Sequence, residues 1–400
     1  MAPTEPPSEI LGKVMEYVPS SSLFSALLVN KAWLGQAIKV LWREPPVEAL
    51  ASIRHTRRQS YANLVEKLFI RGRREAARNA KFRKLEFPRL WYANIVTGYY
   101  HPLMGRTMCV GQYIQPSLKM IRFEGAEPAE DVLRLLEKRC PQLELVDIDH
   151  NFRGLSSERL VKFLHRCKCM KQIYFGYTME HSVDAKVLEC LVNYKNLEVC
   201  VLVMYENCFS YRTLEKVFGV AKQPFRDLET LQIGIEPEAI PLLVKYIKSV
   251  TTLHLHVKEG QFGLVREVGS LINLKVLSVC DTFESGEKRG EWTGNDFMGL
   301  KELTNLEQLT IGLDCPSLTN KKFISVLENK IELAWLELDG ETSITTKAFT
   351  WLGEHFPNLM YCRLNLICDV RSWRNNSHPL FPELRFLKLR AVIYGKRAPR

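Results

Sequence analysis

Two histidines, His254 and His256, flank Leu255 in a segment with the alternating pattern of a strand. Residues two apart in a strand lie on the same side, so both imidazoles are predicted to point one way. Two ligands are too few for a stable zinc site without a third. We therefore expect these histidines to be surface residues or to contact a partner protein, and we predict no metal and no cofactor.

Other residues that could carry catalysis lack the required spacing. The sequence has no G-x-S-x-G nucleophile motif, no phosphate-binding loop and no set of residues with metal-ligand spacing. None of its eleven cysteines forms a C-x-x-C pair, and the nearest approach is Cys167-x-Cys169. Cys200 and Cys362 occupy apolar positions, which is typical of core cysteines. The chemistry predicts a binding protein and no enzyme.

Composition fits an ordinary soluble chain. Its 400 residues are 46% hydrophobic and 25% charged, and by length alone two or three domains are expected. The first residues lack a basic start followed by an apolar run, so no secretory leader is expected. No window approaches 18 uncharged apolar residues, so we expect no transmembrane span. Reduced cysteines would fit a cytoplasmic and/or nuclear location.

The positive charge is concentrated in one block. Lys and Arg number 55 against 45 Asp and Glu, a formal net charge of +10. Residues 54–89 hold twelve Lys and Arg against three Glu. The block can be a solvated helix face, a contact for an acidic protein, or a contact for nucleic acid or an import receptor. A solvated face is favoured, because no aromatic residues are interleaved for base stacking.

Short apolar segments recur through most of the chain with the pattern apolar-x-x-apolar-x-apolar. Ten of thirteen begin with Leu, and successive starts lie 22 to 32 residues apart. Phe-Pro stands at the same offset before Leu90, Leu359 and Leu384. The starts are Val65, Leu90, Leu118, Leu143, Met170, Leu197, Leu228, Val250, Leu274, Leu306, Leu333, Leu359 and Leu384.

Most intervals also contain an amphipathic helix pattern, as in 129–140, 157–167 and 346–356. A strand and a helix repeated at this period bury their apolar sides only when stacked. The chain resembles the leucine-rich-repeat family over 61–400. The expected fold class is α/β, a horseshoe-shaped solenoid of about 13 irregular repeats with parallel strands concave and helices convex. The family's turn-stabilising Asn is matched only by Asn151, so irregular turns are expected.

The N-terminal residues 1–47 predict three short helices, with Ser8 capping the first and Pro45-Pro46 closing the third. Their apolar residues cover more than one face, which favours docking on a partner. The segment resembles an F-box. The matching residues are Pro7, Glu9, Ile10 and Leu11 in the opening, Leu23, Leu27, Leu28 and Val29 in the middle, and Trp33, Leu41 and Trp42 at the close.

The resemblance to F-box proteins with C-terminal leucine-rich repeats implies a substrate-recognition adaptor of a Skp–cullin–F-box ubiquitin ligase. It implies two partners, the Skp subunit and an unknown protein substrate. Residues 48–60 are expected to form a basic linker or helix. Trp33 and Trp42 are expected to hold the helices together or to the first repeat. The expected Skp-docking residues are Pro7, Ile10, Leu11, Leu23, Leu27 and Val29.

Alternation along the strands places one set of residues on the open concave face. That face is expected to be basic at both ends, with acidic patches and an apolar centre, and to hold the substrate. The expected contact residues are Tyr174, Val201, His254, His256, Trp335, Glu337, Tyr361 and Arg363.

A glycine-rich loop over 280–297 is expected to protrude, with Trp292 either contacting a partner or folding back. Two other functions remain open at this stage. One is a scaffold or inhibitor whose N-terminal helices only cap the repeats. The other is a nucleic-acid-associated protein that uses the basic block.

Overall fold

The computed structural model describes residues 7–96, 110–124, 130–148, 155–258, 262–282, 292–369 and 380–393. The chain divides into two compact units, Met1–Gln172 and Ile173–Arg400. Asn151, residues 283–291 of the predicted loop and the chain after Ile393 lie outside the described residues. Where the structure describes the chain, no helix is long and apolar enough to cross a bilayer.

The first unit opens with three helices, α1 (Ser8–Tyr17), α2 (Ser20–Ala26) and α3 (Lys31–Leu41), as predicted. Their buried side chains form one small core: Leu11, Met15, Leu23, Ala26 and Ala37. The predicted Ser8 cap is wrong, because Pro7 takes the cap position without a side-chain hydrogen bond. Asn30 caps α3 instead, and its Oδ1 accepts the Trp33 N–H at 2.9 Å.

Two more helices follow, α4 (Val47–Ser52) and α5 (His55–Ala62). The sequence indicated only a basic linker or helix here. Val47, Leu50 and Ala51 are buried, so α4 belongs to the core of the unit. The Trp42 ring packs on Tyr61 with centroids 4.4 Å apart, which confirms the expected structural role of this tryptophan. Trp33 likewise packs against the helical core.

Four parallel strands pair in chain order within the first unit. They are β1 (Lys67–Arg71), β2 (Tyr92–Val96), β3 (Met120–Glu124) and β4 (Leu145–Ile148). The accompanying helices are α6 (Arg73–Arg78), α7 (Glu130–Arg139) and α8 (Ser157–Arg166), with 3-10 turns over Asn79–Phe82 and Gly111–Tyr113.

The strands of the second unit, counting the one that begins at Gln172, form a parallel sheet and a separate strand pair. In chain order they are β5 (Gln172–Phe175), β6 (Val199–Leu202), β7 (Thr230–Ile235), β8 (Thr252–Val257), β9 (Val276–Asp281), β10 (Gln308–Gly312), β11 (Cys315–Thr319), β12 (Trp335–Leu338), β13 (Thr342–Ser343), β14 (Tyr361–Asp369) and β15 (Phe386–Ile393). Strands β11 and β13 pair only with each other, and the sequence analysis missed both.

The helices of the second unit follow the predicted intervals. They are α9 (Ala185–Val192), α10 (Tyr211–Val220), α11 (Ile240–Tyr246), α12 (Gly294–Met298), α13 (Asn320–Leu327) and α14 (Thr346–His355). The described 3-10 helices are Tyr177–Ser182, Pro237–Ala239, Phe262–Ser270 and Gly299–Glu302.

Each of the thirteen predicted segments is a strand that starts two residues after its predicted first residue. Alternate positions along most of the strands are buried, as in Leu309, Leu336 and Cys362, whereas the equivalent residues of β15 are exposed or half-buried. Most residues at the other positions are half-buried or exposed, and Leu145 and Gly234 are buried. The expected class of parallel strands alternating with helices is confirmed in both units.

A recurring pair of backbone hydrogen bonds joins successive repeats. The Glu307 carbonyl accepts the N–H groups of Ala334 at 2.8 Å and Trp335 at 3.1 Å, and most other repeats make the same pair of bonds. In the first unit, the Arg43 carbonyl accepts the N–H groups of Glu66 and Lys67 in this way. The end of the three N-terminal helices therefore occupies the place that a preceding repeat would occupy.

Candidate functional site

The partly exposed face of the second sheet is organised in rows across neighbouring strands. Side chains at matched positions stand side by side, since the strands are parallel and in register. One row contains four of the residues expected to contact a substrate, which are Val201, His254, Glu337 and Arg363. The other members of this row are Gln232, Ser278, Thr310 and Lys388.

The aromatic residues of the neighbouring row form a stack. Trp335, Tyr361 and Phe386 are paired across β12, β14 and β15. The Trp335 and Tyr361 rings are 3.5 Å apart between centroids and nearly parallel, and Tyr361 and Phe386 are 4.5 Å apart. Stacking fixes the three rings in one orientation, with Phe386 the most exposed. Aromatic residues held in this way are typical anchors of protein interfaces.

A charged cluster lies beside the stack. The Arg363 guanidinium donates from one nitrogen to Glu337 at 2.8 Å and from another to Asp339 at 2.7 Å. The planar fork of arginine suits two carboxylates at once, and all three side chains are partly buried. Arg363 therefore pairs with both carboxylates of the acidic patch that the sequence placed here, and the three charges sum to −1.

His254 and His256 share one face of β8, as predicted. Burial lowers the pKa of His254, and burial followed by the neighbouring His254 lowers the pKa of His256 to about 4. Both imidazoles are therefore neutral at pH 7. His256 Nε2 lies 2.7 Å from the Gln232 amide nitrogen, and its ring meets Tyr205 edge-on at 5.3 Å.

The predicted contact residues fall into separate groups along the sheet. Tyr174 and Val201 lie on β5 and β6, and both are half-buried on the partly exposed face. Six strand steps separate Val201 from Arg363, a distance of about 29 Å at the usual strand spacing of about 4.8 Å. One small ligand cannot span these groups. An extended or folded protein partner can.

The residues predicted to dock on a Skp subunit differ in their exposure. Leu11 and Leu23 are buried in the helical core, so their assignment to an accessible surface is wrong. Leu27 is half-buried against the same core, while Pro7, Ile10 and Val29 are exposed. The predicted docking residues left out several exposed apolar side chains, which are Val14, Tyr17, Phe24 and Leu34 on the helices and Leu28 in the turn after α2.

Arg58, in the basic block over residues 54–89, has a structural role. Its guanidinium donates to the carbonyls of Leu50, Ala51 and Ile53 at 3.2, 3.2 and 2.7 Å, which satisfies the end of α4. A further bond at 3.2 Å reaches the Lys81 carbonyl. This cation is therefore not available to a ligand.

Trp292 folds back into the protein and is 1% exposed. Its backbone N–H donates to the Asp314 carbonyl at 2.7 Å. Of the two alternatives for this residue, the structure selects the packed one. The next residue, Thr293, forms a capping box with Asp296 at the start of α12.

Cys208 and Cys280 are partly buried cysteines of the second unit. Burial raises the pKa of the Cys208 thiol to about 12, and it also raises the pKa of Cys280, so both are thiols at neutral pH. Within the described ranges, no group of three or more His, Cys, Asp or Glu residues is arranged to hold a metal ion. The arrangement provides contacts for a macromolecule.

Comparison with known proteins adds only broad likeness. No model of a known protein family matches, and no curated protein sequence matches. Among solved structures, the Rad7 and Elc1 complex of yeast is 14% identical over 95% of both chains, with a TM-score of 0.45. An internalin from Listeria monocytogenes is 13% identical over 90% of both chains, with a TM-score of 0.43.

The leucine-rich repeat-containing protein LegL7 of Legionella pneumophila is 10% identical, over 62% of this chain and 83% of its own, with a TM-score of 0.34. Likenesses of this size carry no argument about function. The chain's own strands and helices define its class, a mixed α/β leucine-rich-repeat fold. Stacked repeats of this kind present an extended surface for protein–protein interaction.

Proposed function

We propose that this chain is a non-catalytic substrate-recognition adaptor of a Skp–cullin–F-box ubiquitin ligase, acting in the cytoplasm and/or nucleus. Its N-terminal helices dock on a Skp-type subunit, and the partly exposed strand face of the second unit holds a protein substrate. The ligation chemistry belongs to other subunits. Described cysteines are free, which is consistent with a reducing compartment.

The observation that carries the proposal is the surplus of exposed apolar side chains on α1, α2 and the turn after α2. Leu28 is 87% exposed, and Ile10 and Val29 are more than half exposed. Soluble proteins rarely leave such a concentration of apolar surface open unless a partner covers it. The segment with this surface is the one whose sequence resembles an F-box.

The link between the helices and the repeats supports the same function. The Arg43 carbonyl accepts two N–H groups of the first repeat, and the Arg43 side chain lies beside Glu16 and 3.6 Å from Glu66. These contacts fix the helices to the repeats of their own unit. An adaptor gains from such rigidity, because it presents a bound substrate at a constant position.

The first experiment co-expresses the full chain with a Skp-type subunit. We expect a stable complex that Ile10→Asp combined with Leu28→Asp abolishes, because both side chains are exposed and a carboxylate opposes burial. Ile331→Asp is the matched control, since Ile331 is 70% exposed in the second unit. If the double variant binds as well as the control, the docking surface is wrong. If the unmodified chain forms no complex, the adaptor function is wrong.

The second experiment concerns substrate capture. Trp335→Ala combined with Arg363→Ala removes one ring of the stack and leaves Glu337 and Asp339 without their shared cation. We expect proteins captured by the chain in cells to be lost from the variant while Skp binding is kept. Unchanged capture would show that the substrate contacts another surface.

The scaffold alternative is favoured by one observation, the cap-like bonds of Arg43 to the first repeat. It predicts that the exposed apolar side chains of the helices can be changed without losing any partner. Nucleic-acid binding predicts salt-dependent affinity that falls when Arg71, Arg73 and Arg74 are neutralised. The co-expression experiment separates the scaffold from the adaptor.

A further inference from the structure

Strand β15 is an outer strand of the second sheet: among the described residues it pairs with β14 alone. The Phe386 N–H donates to the Met360 carbonyl of the preceding repeat at 3.1 Å. Backbone groups alternate in direction along a parallel strand, so those of Leu387 and Leu389 point away from β14. The outer edge therefore offers a row of hydrogen-bonding groups for one more strand.

The paired hydrogen bonds to one carbonyl that join successive repeats end at the same edge. Met360 O accepts the N–H groups of both Arg385 and Phe386, at 2.8 and 3.1 Å. Arg385 holds the equivalent position in its own repeat, and within the described part of the chain its carbonyl accepts no such pair. A further strand in the same parallel register would supply the two missing donors.

The apolar layer is also incomplete there. Leu387 is 44% exposed, although its register partner Cys362 and the next residue inward, Leu336, are fully buried. An added strand would place an apolar side chain beside Leu387 and remove that surface from water.

The charges at the edge of β15 indicate which charged side chains an added strand would carry. Lys388 and Arg390 are exposed on the side of β15 that bears Phe386, and no ion pair joins either to a described residue. The nearby carboxylates of Glu337 and Asp339 are held by Arg363. Two open cations next to an aromatic ring fit a segment with two acidic residues.

The chain's own neighbouring segments do not carry that charge. Residues 370–379 read VRSWRNNSHP and residues 394–400 read YGKRAPR, with five Lys or Arg and no Asp or Glu. Either segment would bring more positive charge to Lys388 and Arg390. Charge complementarity therefore favours a partner protein as the occupant.

We propose that β15 binds an extended acidic segment of a partner protein by parallel strand addition. The segment has the pattern aromatic-apolar-acidic-apolar-acidic. Its aromatic residue extends the Trp335–Tyr361–Phe386 stack, and its acidic residues stand beside Lys388 and Arg390. This interaction does not depend on the adaptor function, since it involves no residue of the N-terminal helices.

The test measures fluorescence anisotropy of the full chain with a labelled peptide reading Phe-Val-Glu-Val-Glu between Gly-Ser flanks. A peptide with Lys in place of both Glu is expected to bind about tenfold more weakly or worse. N-methylation of the first Glu removes the N–H that would meet the Leu387 carbonyl and is expected to cost a similar factor. N-methylation of the first Val faces away and is expected to change little.

The complementary change is made in the protein. Lys388→Glu with Arg390→Glu is expected to reverse the preference, so that the Lys peptide binds better than the Glu peptide. Lys321→Glu with Lys347→Glu makes the same charge change at exposed positions of α13 and α14 and is expected to keep the original preference.

Equal binding of the Glu and Lys peptides to the unmodified chain would overturn the proposal. Equal effects of the two N-methylations would overturn strand addition and leave only charge attraction. These two results use the unmodified protein, so they do not depend on how the variants fold.

Discussion

Arg58 provides a test of the structural interpretation of the basic block. Its guanidinium donates to four backbone carbonyls, three of them at the end of α4. Arg58→Ala removes every one of these donors. The carbonyls of Leu50 and Ala51 belong to buried residues, so water replaces the lost bonds poorly.

The magnitude follows from the bonds. A hydrogen bond involving a charged group contributes about 1.5–3 kcal/mol, and the partial exposure of this group lowers the sum over four bonds, so we expect a loss of roughly 2–3 kcal/mol. Local opening of α4 and α5 would become more frequent by a factor of about 30 to 150. Arg58→Lys keeps the charge without the fork and is expected to lose about half as much free energy.

Hydrogen–deuterium exchange of the segment 47–62 measures this opening directly. Arg57→Ala is the matched control, because Arg57 is the adjacent residue, carries the same charge and is exposed. We expect faster exchange in Arg58→Ala and nearly unchanged exchange in Arg57→Ala. Equal exchange in the two variants would refute the structural role of Arg58.

Other predictions concern buried groups. His256 has a folded pKa of about 4, below its unfolded value of about 6.5. Its contribution to stability is present above pH 6.5 and is lost as the pH falls towards 4. Between pH 7 and pH 4, the free energy of unfolding measured with urea should therefore fall by roughly 3 kcal/mol more in the unmodified chain than in His256→Gln. An equal fall in the two proteins would contradict this. Burial lowers the pKa of Lys330 to about 8, and its Nζ reaches one carbonyl, that of Lys301, at 3.1 Å. Lys330→Met should raise the free energy of unfolding by about 1–2 kcal/mol at pH 7, and a lower value would show that the ammonium stabilises the fold.

The strands were predictable because the repeat pattern is redundant. An apolar residue at each start, such as Leu306 or Leu333, is buried in twelve of the thirteen copies, and Leu384 is half-buried, so the period survives variation elsewhere. Strands β11 and β13 were not predictable, because Cys315–Thr319 and Thr342–Ser343 are short and have no alternating apolar pattern. Their pairing is fixed by the positions of the adjacent repeats.

Burial within the N-terminal helices was the weakest prediction. Leu11 and Leu23 carry the same apolar signal as Ile10 and Leu28, and only packing shows which face each helix turns inward. The sequence left a linker or a helix open for residues 48–60 for a related reason, since the nearby arginines gave no sign that Val47, Leu50 and Ala51 of helix α4 are buried. Arg58 is one of these arginines and completes the end of that helix.

The strand face was partly predictable. Alternation placed Trp335, Tyr361 and Arg363 on one face, and the structure adds their register. That register stacks the rings and brings the guanidinium to Glu337 and Asp339. The sequence could not show that both carboxylates of the acidic patch already pair with a cation of the chain.

The central claim is that the N-terminal helices dock on a Skp-type subunit. Co-expression followed by size-exclusion chromatography with light scattering tests it most directly, because it reports the mass of what the chain binds. We predict a single species with the combined mass of one chain and one Skp subunit. The chain eluting at its own mass of 46.2 kDa, with the Skp subunit separate, would contradict the claim.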